Sequence, residues 1–436
     1  MNNIFKSILI FLFLSSIQID AQEPVSIGKQ EVLSIIREHN LGLKISEKEF
    51  DKAKADYSQT QAVFLPNITA SHTGISTTNP LMAFGSKLNQ GILTAADFNP
   101  DLLNNPETTQ NFATVLKIEQ PLINLDGFYQ RKAAKSKMQA ISLQSKRTAD
   151  YLELEVEKAY MQLQLGYKGI AVLQGALKTS EAHQKIATDN FNQGLLQKAD
   201  VLSVAIRVNE VKNQLQKAKS TLLNASNYLS FLMDDKEYKV YKPLDSLSLV
   251  SLEKTTTQVS KDRADIKAME LALKAYEAAN KADKMAFLPR LNAFGSYEMY
   301  DNKAFQSNAS GYVIGAQLSW NLFEGSKRIG KMRKSKADVA QSQLVYNQMV
   351  SKSNLELNKA KRQLSDAKNS LLLTELAVAQ AKESLRIRKN RFAEGLEKTA
   401  DLLQSETQYA QKQLEHYQTI FNYNFTQSYI QFLTKE

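Results

Sequence analysis

The sequence contains FNQGLLQKADVL at residues 191–202 and FAEGLEKTADLL at residues 392–403. In both phrases Phe, Gly, Leu, Ala, Asp and Leu follow one another in the same order and at the same spacing. Self-similarity at a period of about 200 residues marks a duplicated structural half. Each phrase comes after a stretch of about 65 residues without proline, and such a stretch is typical of one long helix.

The duplication extends along the whole chain. Both halves contain Phe-Leu-Pro, at residues 64–66 and 287–289, followed by two alternating stretches and a glycine. We therefore divide the chain into a signal peptide (1–21), a first repeat (22–236), a linker or equatorial segment (237–261) and a second repeat (262–436). Each repeat is predicted to run helix, β-hairpin, long helix, tip turn and helix, with hairpins at 67–123 and 290–323 and tip turns at 190–199 and 391–400.

The N-terminus and the composition limit where the protein works. Lys6 precedes an apolar run at residues 8–14, and Ala21 is a small residue at the expected cleavage position, which is the pattern of an exported chain. The mature chain would begin at Gln22. The sequence has no cysteine, so stability in an oxidising compartment would depend on packing alone. We attribute the net charge of +10 to lysines that solvate long helices and predict no nucleic-acid partner.

Two stretches, residues 129–190 and 327–391, are rich in Ala, Leu, Gln, Lys and Glu and are predicted to be helical throughout. Each would be on the order of 95 Å long, which indicates an elongated bundle. Their apolar residues recur alternately three and four positions apart, the spacing of a coiled-coil seam. Shorter helices would lie end to end beside the long ones, and Gly194 and Gly395 would allow tight reversals. The shorter helices are predicted at 43–63, 199–233, 262–287 and 400–433.

The hairpin sequences alternate between apolar residues and polar or small ones. Each alternating stretch has about 10 residues, the length of a tilted strand that crosses a bilayer. Tyr312 and Trp320 share one face about 26 Å apart, which fits two aromatic girdles at the membrane surfaces. Two amphipathic hairpins packed on a soluble core are the alternative interpretation.

Four spanning strands cannot close a barrel, and open strand edges are not tolerated in lipid. Two chains would give eight strands around a filled interior, whereas three would give twelve strands around an open pore. An oligomer is therefore predicted if the strands span the membrane. The first hairpin carries roughly 22 extra residues, mostly within 77–110, where Asn-Pro pairs predict a long extracellular loop.

On these residues the chain resembles the TolC-like outer membrane efflux proteins over nearly the whole mature sequence. The two Phe-x-x-Gly-Leu…Ala-Asp-x-Leu phrases are the most diagnostic part of the resemblance. It implies an internally duplicated α+β membrane protein, a homotrimer whose twelve-stranded β-barrel in the outer membrane continues into a long coiled-coil helical tunnel in the periplasm. It also implies contact with outer-membrane lipid, and docking of the periplasmic helical tip to an adaptor protein and an inner-membrane pump.

The resemblance also implies roles for individual residues. It implies that the adaptor docks on the tip residues Phe191, Gly194, Leu195, Phe392, Gly395 and Leu396. The alternative is that these residues only form the turns. It also implies that Asp200, Asp401 and Gln404 line a constriction of the pore, although the family usually has an acidic residue at the position of Gln404. The partners of Asp200 in the family are Tyr and Arg, where this chain has Phe392 and Glu397. Phe392 lacks a hydroxyl and Glu397 would repel Asp200, so a closed-state latch would need other contacts.

Basic residues follow both hairpins. They are Arg131, Lys132 and Lys135 in the first half and Lys327, Arg328 and Lys331 in the second. Both clusters lie near the start of a long helix, where the macrodipole disfavours cations. We hypothesise a basic collar that contacts phosphate headgroups of the inner leaflet. Ordinary solvated side chains are the alternative.

Enzyme signals are weak. His39, His72, His183 and His416 are scattered without metal-ligand spacing, and the sequence has no phosphate-binding loop or nucleophile motif. We therefore predict no catalytic site, no metal and no cofactor. The preferred function is a passive exit duct in a tripartite efflux or type I secretion system. The alternative is a structural or adhesive coiled-coil protein of the periplasm or cell surface, and drugs, metal ions and polypeptides all stay open as cargo.

Overall fold

The computed structural model describes residues 23–250 and 258–436, so the predicted signal peptide lies outside the described residues. The helices are α1 (Lys29–His39), α2 (Leu41–Gln59), α3 (Pro80–Asn89), α4 (Pro100–Asn104), α5 (Leu125–Asn192), α6 (Lys198–Met233), α7 (Ala264–Met285), α8 (Lys327–Ala393) and α9 (Thr399–Thr434). The strands are β1 (Val25–Ile27), β2 (Asn67–Thr77), β3 (Thr109–Ile123), β4 (Tyr241–Pro243), β5 (Arg290–Asp301) and β6 (Ala309–Ser319). Short 3-10 helices lie at Thr60–Val63 and Ala95–Phe98.

The chain forms two compact units, and each unit draws on both repeats. One unit comprises Met1–Ile45, Arg147–Ser260 and Lys352–Glu436, as far as these segments are described. It contains both predicted tip turns. The other comprises Ser46–Lys146 and Lys261–Ser351 and contains both hairpins. The duplicated halves are therefore interleaved, because each contributes one hairpin to the second unit and one helical reversal to the first.

The long helices form because nothing interrupts their seams. Helix α5 has 68 residues and α8 has 67, and neither contains proline. In the first unit the predicted seam of α5 lies in the core, where Val156, Ala159 and Leu163 are buried together with residues of α1 and α6. A Cβ atom on Gly166 would lie 2.9 Å from Leu222 Cδ1, so this glycine allows α6 to approach α5 closely.

Helix α8 keeps several large apolar side chains exposed. Leu357 and Ala360 are buried against Ile430 and Leu433 of α9. The exposed leucines of α8 are Leu344 and Leu355 before this contact and Leu372, Leu373 and Leu376 after it. A row of exposed leucines on a coiled-coil helix offers a surface for another chain. None of the helices in residues 23–250 and 258–436 combines the length and apolarity needed to cross a membrane.

The second unit contains a four-stranded antiparallel sheet in the order β2-β3-β5-β6. The two hairpins join through β3 and β5, with Leu116 opposite Tyr297. The register shifts only between Pro121 and Ile123, where proline cannot donate to the ladder. Because β2 and β6 are the outer strands, the sheet has two open edges within the described part of the chain.

The register gathers the apolar alternation of all four strands on one face. Leu116 of β3, Tyr297 of β5 and Tyr312 of β6 lie side by side. Because side chains alternate, the same face carries Ile68, Ala70, Phe112, Ile118, Leu291, Ala293, Met299, Ile314, Ala316 and Leu318. The opposite face carries Lys117, Glu119, Arg290 and Glu298, together with Asn292, Ser296 and Gln317. We call these the apolar face and the polar face. Asp301, the last residue of β5, lies on the same face as Tyr297.

The residues before 251 in the predicted equatorial segment pack in the first unit. Strand β4 pairs in parallel with β1, Val25 opposite Tyr241. The hydroxyl of Tyr160 on α5 donates to Asp245 Oδ1 at 2.5 Å. Asn424 Nδ2 of α9 donates to the carbonyl of Ser248 at 2.8 Å. Burial and the Asp245 carboxylate raise the pKa of Tyr160, so its hydroxyl remains a donor at any physiological pH.

The insertion in the first hairpin is folded, which corrects the expectation of a simple long loop. The side chain of Asn79 caps α3 and that of Asn99 caps α4, each followed by a proline in the first turn. Two of the three Asn-Pro pairs that suggested turns are therefore helix starts, and the third, Asn105-Pro106, follows the end of α4. We call residues 78–108 the cap.

Candidate functional site

The two predicted tip turns have the same backbone geometry. The amide of Leu195 donates to the carbonyl of Asn190, and that of Leu396 to Arg391, both at 2.9 Å. Gly194 has φ 78° and Gly395 has φ 72°, the left-handed region that favours glycine. A six-to-one bond closed by such a glycine is a Schellman motif, so the repeated phrase encodes a tight reversal between two helices.

The apolar side chains of the two tips differ in exposure. Phe191 is 40% exposed, Leu195 70% and Leu396 62%, so all three are open to a partner. Phe392 is only 8% exposed, and its ring centroid lies 6.4 Å from that of His183. A buried ring cannot contact another protein. The docking role predicted for Phe392 is therefore corrected to packing inside the second tip.

Of the three residues predicted to line a constriction, Asp200 and Asp401 lie in the first turns of α6 and α9, and Gln404 lies in the second turn of α9. Asp200 accepts a hydrogen bond from the amide of Gln197 at 3.2 Å and so caps α6. The side chain of Asp401 is 42% exposed and lies 3.9 Å from Arg388 Nη1. Gln404 is exposed one turn later. Asp401 and Gln404 can thus face an aqueous space, whereas part of the charge of Asp200 serves the helix terminus.

A charge cluster at the second tip was not predicted from the sequence. Glu397 accepts from Arg388 Nη1 at 2.9 Å and from Arg391 Nε at 3.0 Å. Arg391 Nη2 also donates to the carbonyl of Leu396 at 3.2 Å. Two guanidinium groups therefore neutralise the negative charge of Glu397. The repulsion between Glu397 and Asp200 that the sequence suggested is not expected. The cluster fixes the turn around Gly395 and places Arg388 between Glu397 and Asp401.

A buried ionisable pair lies close to this turn. His183 of α5 and Glu406 of α9 are 2% and 6% exposed, and His183 Nδ1 contacts Glu406 Oε1. Thr399 at the start of α9 is buried as well. Sequence reasoning treated His183 as one of four scattered histidines. Its partner is more than 200 positions away, and only helix packing brings the two side chains together.

The predicted girdle residues lie at the two ends of β6 on the apolar face. Tyr312 is 76% exposed and Trp320 59%. Trp320 follows the last residue of β6, and its Nε1–H donates to the carbonyl of Phe287 at 2.9 Å. An indole with its ring exposed and its N–H satisfied is suited to a membrane surface.

The predicted collar residues divide into two groups. Arg131 donates to the Tyr57 hydroxyl at 3.0 Å, and Arg328 lies 5.2 Å over the Phe287 ring and is only 12% exposed in its side chain. Lys331 forms an ion pair with Asp283 at 2.9 Å. These three side chains brace the helices below the sheet. Exposed lysines lie at positions 132, 135, 327 and 331, so the headgroup hypothesis rests on Lys132, Lys135, Lys327 and Lys331.

Comparisons with known proteins agree on one family. The sequence matches the profile of the outer membrane efflux proteins over residues 32–234 and 256–431. Among solved structures, a membrane protein from Pseudomonas aeruginosa shares 16% identity, covers 93% of both chains and has a TM-score of 0.82. The outer membrane protein VceC from Vibrio cholerae shares 16% identity over 93% of this chain and 96% of its own, with a TM-score of 0.79. The outer membrane channel CmeC from Campylobacter jejuni shares 15% identity over 93% and 85%, with a TM-score of 0.80.

Identities this low show the fold alone, and no curated protein matches the chain. The predicted fold class, with duplicated halves, long coiled helices and a sheet of four strands from the two hairpins, is confirmed. The profile spans most of the sequence, including both tip phrases and all four strands of the sheet. The chain belongs to the outer membrane efflux protein family.

Proposed function

We propose that three copies of this chain form a duct through the outer membrane that is the passive exit of a tripartite efflux or type I secretion system. One observation carries this proposal: the sheet has an apolar face and two open edges. Pairing β2 of one copy with β6 of the next would remove every edge, as a bilayer requires. Three sheets give twelve strands, enough for an aqueous bore.

Family membership makes the chain an outer-membrane efflux channel with a helical tunnel in the periplasm. Channels of this family are transport conduits that work with other components, which supports an adaptor and a pump as partners. The exposed leucines of α8 support contact between copies along the helices as well. A purely structural coiled-coil rod would leave the apolar face of the sheet without a role.

The tip is the proposed docking surface for the adaptor. We expect the double variant Leu195→Glu/Leu396→Glu to lower adaptor binding at least tenfold, because each leucine is more than half exposed. Burying one leucine contributes roughly 1.5–3 kcal/mol, and about 1.4 kcal/mol corresponds to a factor of ten. The measurement is the yield of adaptor and pump crosslinked to the channel in cells, quantified by mass spectrometry.

Gln193→Glu is the matched control for this experiment. It adds a negative charge at the same turn without removing an apolar side chain, and it should leave the crosslinked yield near the wild-type value. Both channels must also reach the outer membrane in equal amounts. Equal adaptor yields from the wild type and the double leucine variant would contradict docking at the tip.

Two substitutions at the second tip test the proposed constriction, because they should change the cation preference of the pore in opposite directions. Asp401→Ala should lower the cation preference of the pore, because rings of carboxylates favour cations. Arg388→Ala should raise the preference, since Arg388 partly neutralises both Asp401 and Glu397. The measurement is the reversal potential of purified channels in planar bilayers under a salt gradient. If neither variant shifts the reversal potential, these residues do not line the ion path.

A further inference from the structure

The cap is a small folded structure held by several independent contacts. Lys87 Nζ of α3 lies 2.9 Å from Asp97 Oδ1. Asp97 also accepts from the amide and the hydroxyl of Thr94, both at 2.8 Å. The rings of Phe84 and Phe98 meet edge to face with centroids 5.7 Å apart. These contacts fix α3 against the segment that leads to α4, so the cap keeps a defined shape.

The cap lies on the polar face of the sheet. Gln90 Nε2, just after α3, donates to Asn111 Oδ1 and to the carbonyl of Gln110, both at 2.8 Å. A Cβ atom on Gly91 would lie 3.9 Å from Cβ of Ala309. Asn111 and Ala309 both belong to the polar face, because their neighbours Phe112 and Ser310 alternate onto the apolar face. The contacts occur where β3 and β6 begin, the end of the sheet remote from α2 and α5.

Helix α3 turns an apolar surface away from the sheet. Ala83, Ser86 and Gln90 form its buried side. Leu81 and Leu88 lie on the opposite side and are 81% and 57% exposed. Met82, Phe98 and Leu102 of the cap are exposed as well. With Ile92 there are six exposed large apolar residues in a stretch of about 30, a concentration that indicates a surface for a partner.

We propose that the caps of three copies meet inside the extracellular mouth of the barrel and form an apolar constriction there, a second barrier separate from the helical tip. This inference rests on the proposed trimeric duct, in which the apolar face of the sheet meets lipid and the polar face lines the bore. The caps, attached to the polar face, then lie inside the mouth. The occupant of each apolar patch is the same patch on the other copies.

The dimensions of the barrel fit this arrangement. Twelve strands about 4.8 Å apart and tilted by about 40° form a barrel roughly 24 Å across between opposite backbones, and the inward side chains narrow its bore further. One helix with its side chains is about 10 Å wide, so three would nearly fill that bore. Apolar constrictions exclude water and ions by dewetting, and open when their walls separate or become polar. Such a barrier would keep external solutes out while the channel is idle.

The contacts of Asp97 make the cap resistant to acid. The hydrogen bond from Lys87, followed by those from Thr94, lowers the pKa of Asp97 from 3.8 to about 2. A carboxyl with a lowered pKa stabilises the fold at pH above its ordinary pKa, and the stabilisation is lost as pH falls through the lowered value. The ion pair between Lys87 of α3 and Asp97 should therefore weaken only between about pH 4 and pH 2.

Because the chain has no cysteine, single cysteines can report access to the bore. Gln317→Cys would place a thiol on the polar face of β6, far below the cap. Intact cells would be treated with a small membrane-impermeant maleimide, or with a bulky one narrower than the empty bore. We expect the small reagent to label the wild-type background slowly, because it passes only when the walls of the constriction separate, and the bulky reagent not to label it. Replacing residues 78–108 by a short Gly-Ser linker should raise labelling by the bulky reagent at least tenfold.

Two further cysteines calibrate the experiment. Lys303→Cys, in the loop between β5 and β6, should react with both reagents in both backgrounds. Ile314→Cys, on the apolar face, should react with neither. Equal labelling of Gln317→Cys by the bulky reagent with and without the cap would overturn the constriction. If Gln317→Cys stays unlabelled by either reagent after cap removal, the barrel itself is wrong, and the constriction falls with it.

A second variant keeps the cap backbone intact. Leu81→Ser/Leu88→Ser makes the exposed side of α3 polar without touching its contacts with the sheet. It should speed labelling of Gln317→Cys by the small reagent at least threefold, because water then wets the constriction. An unchanged rate in this variant would show that these leucines do not line a barrier.

Discussion

A lysine in place of Ile314 should prevent the chain from accumulating as a stable trimer in the outer membrane. Ile314 lies at the middle of β6 and is 79% exposed on the apolar face. A lysine on the lipid side at the bilayer midplane costs about 2–4 kcal/mol, or about 6–12 kcal/mol over three copies. That cost is comparable with the whole stability of a typical domain. The measurement is the fraction of heat-modifiable trimer in outer-membrane extracts on denaturing gels.

The adjacent residue provides the control. Val313 is 50% exposed and lies on the polar face, opposite Ser296. Val313→Lys adds the same charge one position away, but on the side assigned to the bore, where polar substitutions are tolerated. It should therefore assemble in nearly normal amounts. If both lysine variants assembled equally well, or if both failed, the assignment of the two faces to lipid and bore would be wrong.

The parts of this molecule that follow from local patterns were predictable. The phrase around Gly194 and Gly395 encodes a left-handed residue after a helix, and the structure has a tight reversal at both places. Alternation predicted which side of β6 is apolar, because the side-chain period of a strand fixes the face once the strand is known. The seam of α5 could likewise be read from spacings of three and four residues.

The parts that depend on distant packing were not predictable. Strands β1 and β4 have three residues each, too few to show any period. The cap folds because Lys87 reaches Asp97 and Gln90 reaches Asn111, contacts that carry no local signature. Phe392 was assigned to docking because it occupies the same position in the repeated phrase as Phe191, yet Phe191 is exposed and Phe392 is buried. The two repeats share a backbone turn but pack on different neighbours.

The two repeats differ most at the buried pair of His183 and Glu406, and we expect a large loss of stability when this pair is broken. Glu406→Ala would leave His183 in a nearly closed site without its partner. Leaving a buried polar group without its partner typically costs about 1–3 kcal/mol, and more where that group is charged. The same cost is expected for His183→Ala. Thermal unfolding of the detergent-solubilised channel, followed by circular dichroism, should show both variants clearly less stable than wild type.

Two further variants test whether the loss of stability comes from the buried pair or would follow from any substitution in α9. Glu415→Ala removes an exposed ion pair with Lys412 on the same helix and should cost at most about 1 kcal/mol. His183→Leu/Glu406→Leu replaces both partners by apolar groups and should recover most of the lost stability, since no polar group then stays buried alone. A double variant as unstable as the sum of the two alanine variants would show that the pair is not coupled. In that case contacts such as that of His183 with Phe392 would hold α5 against the second tip.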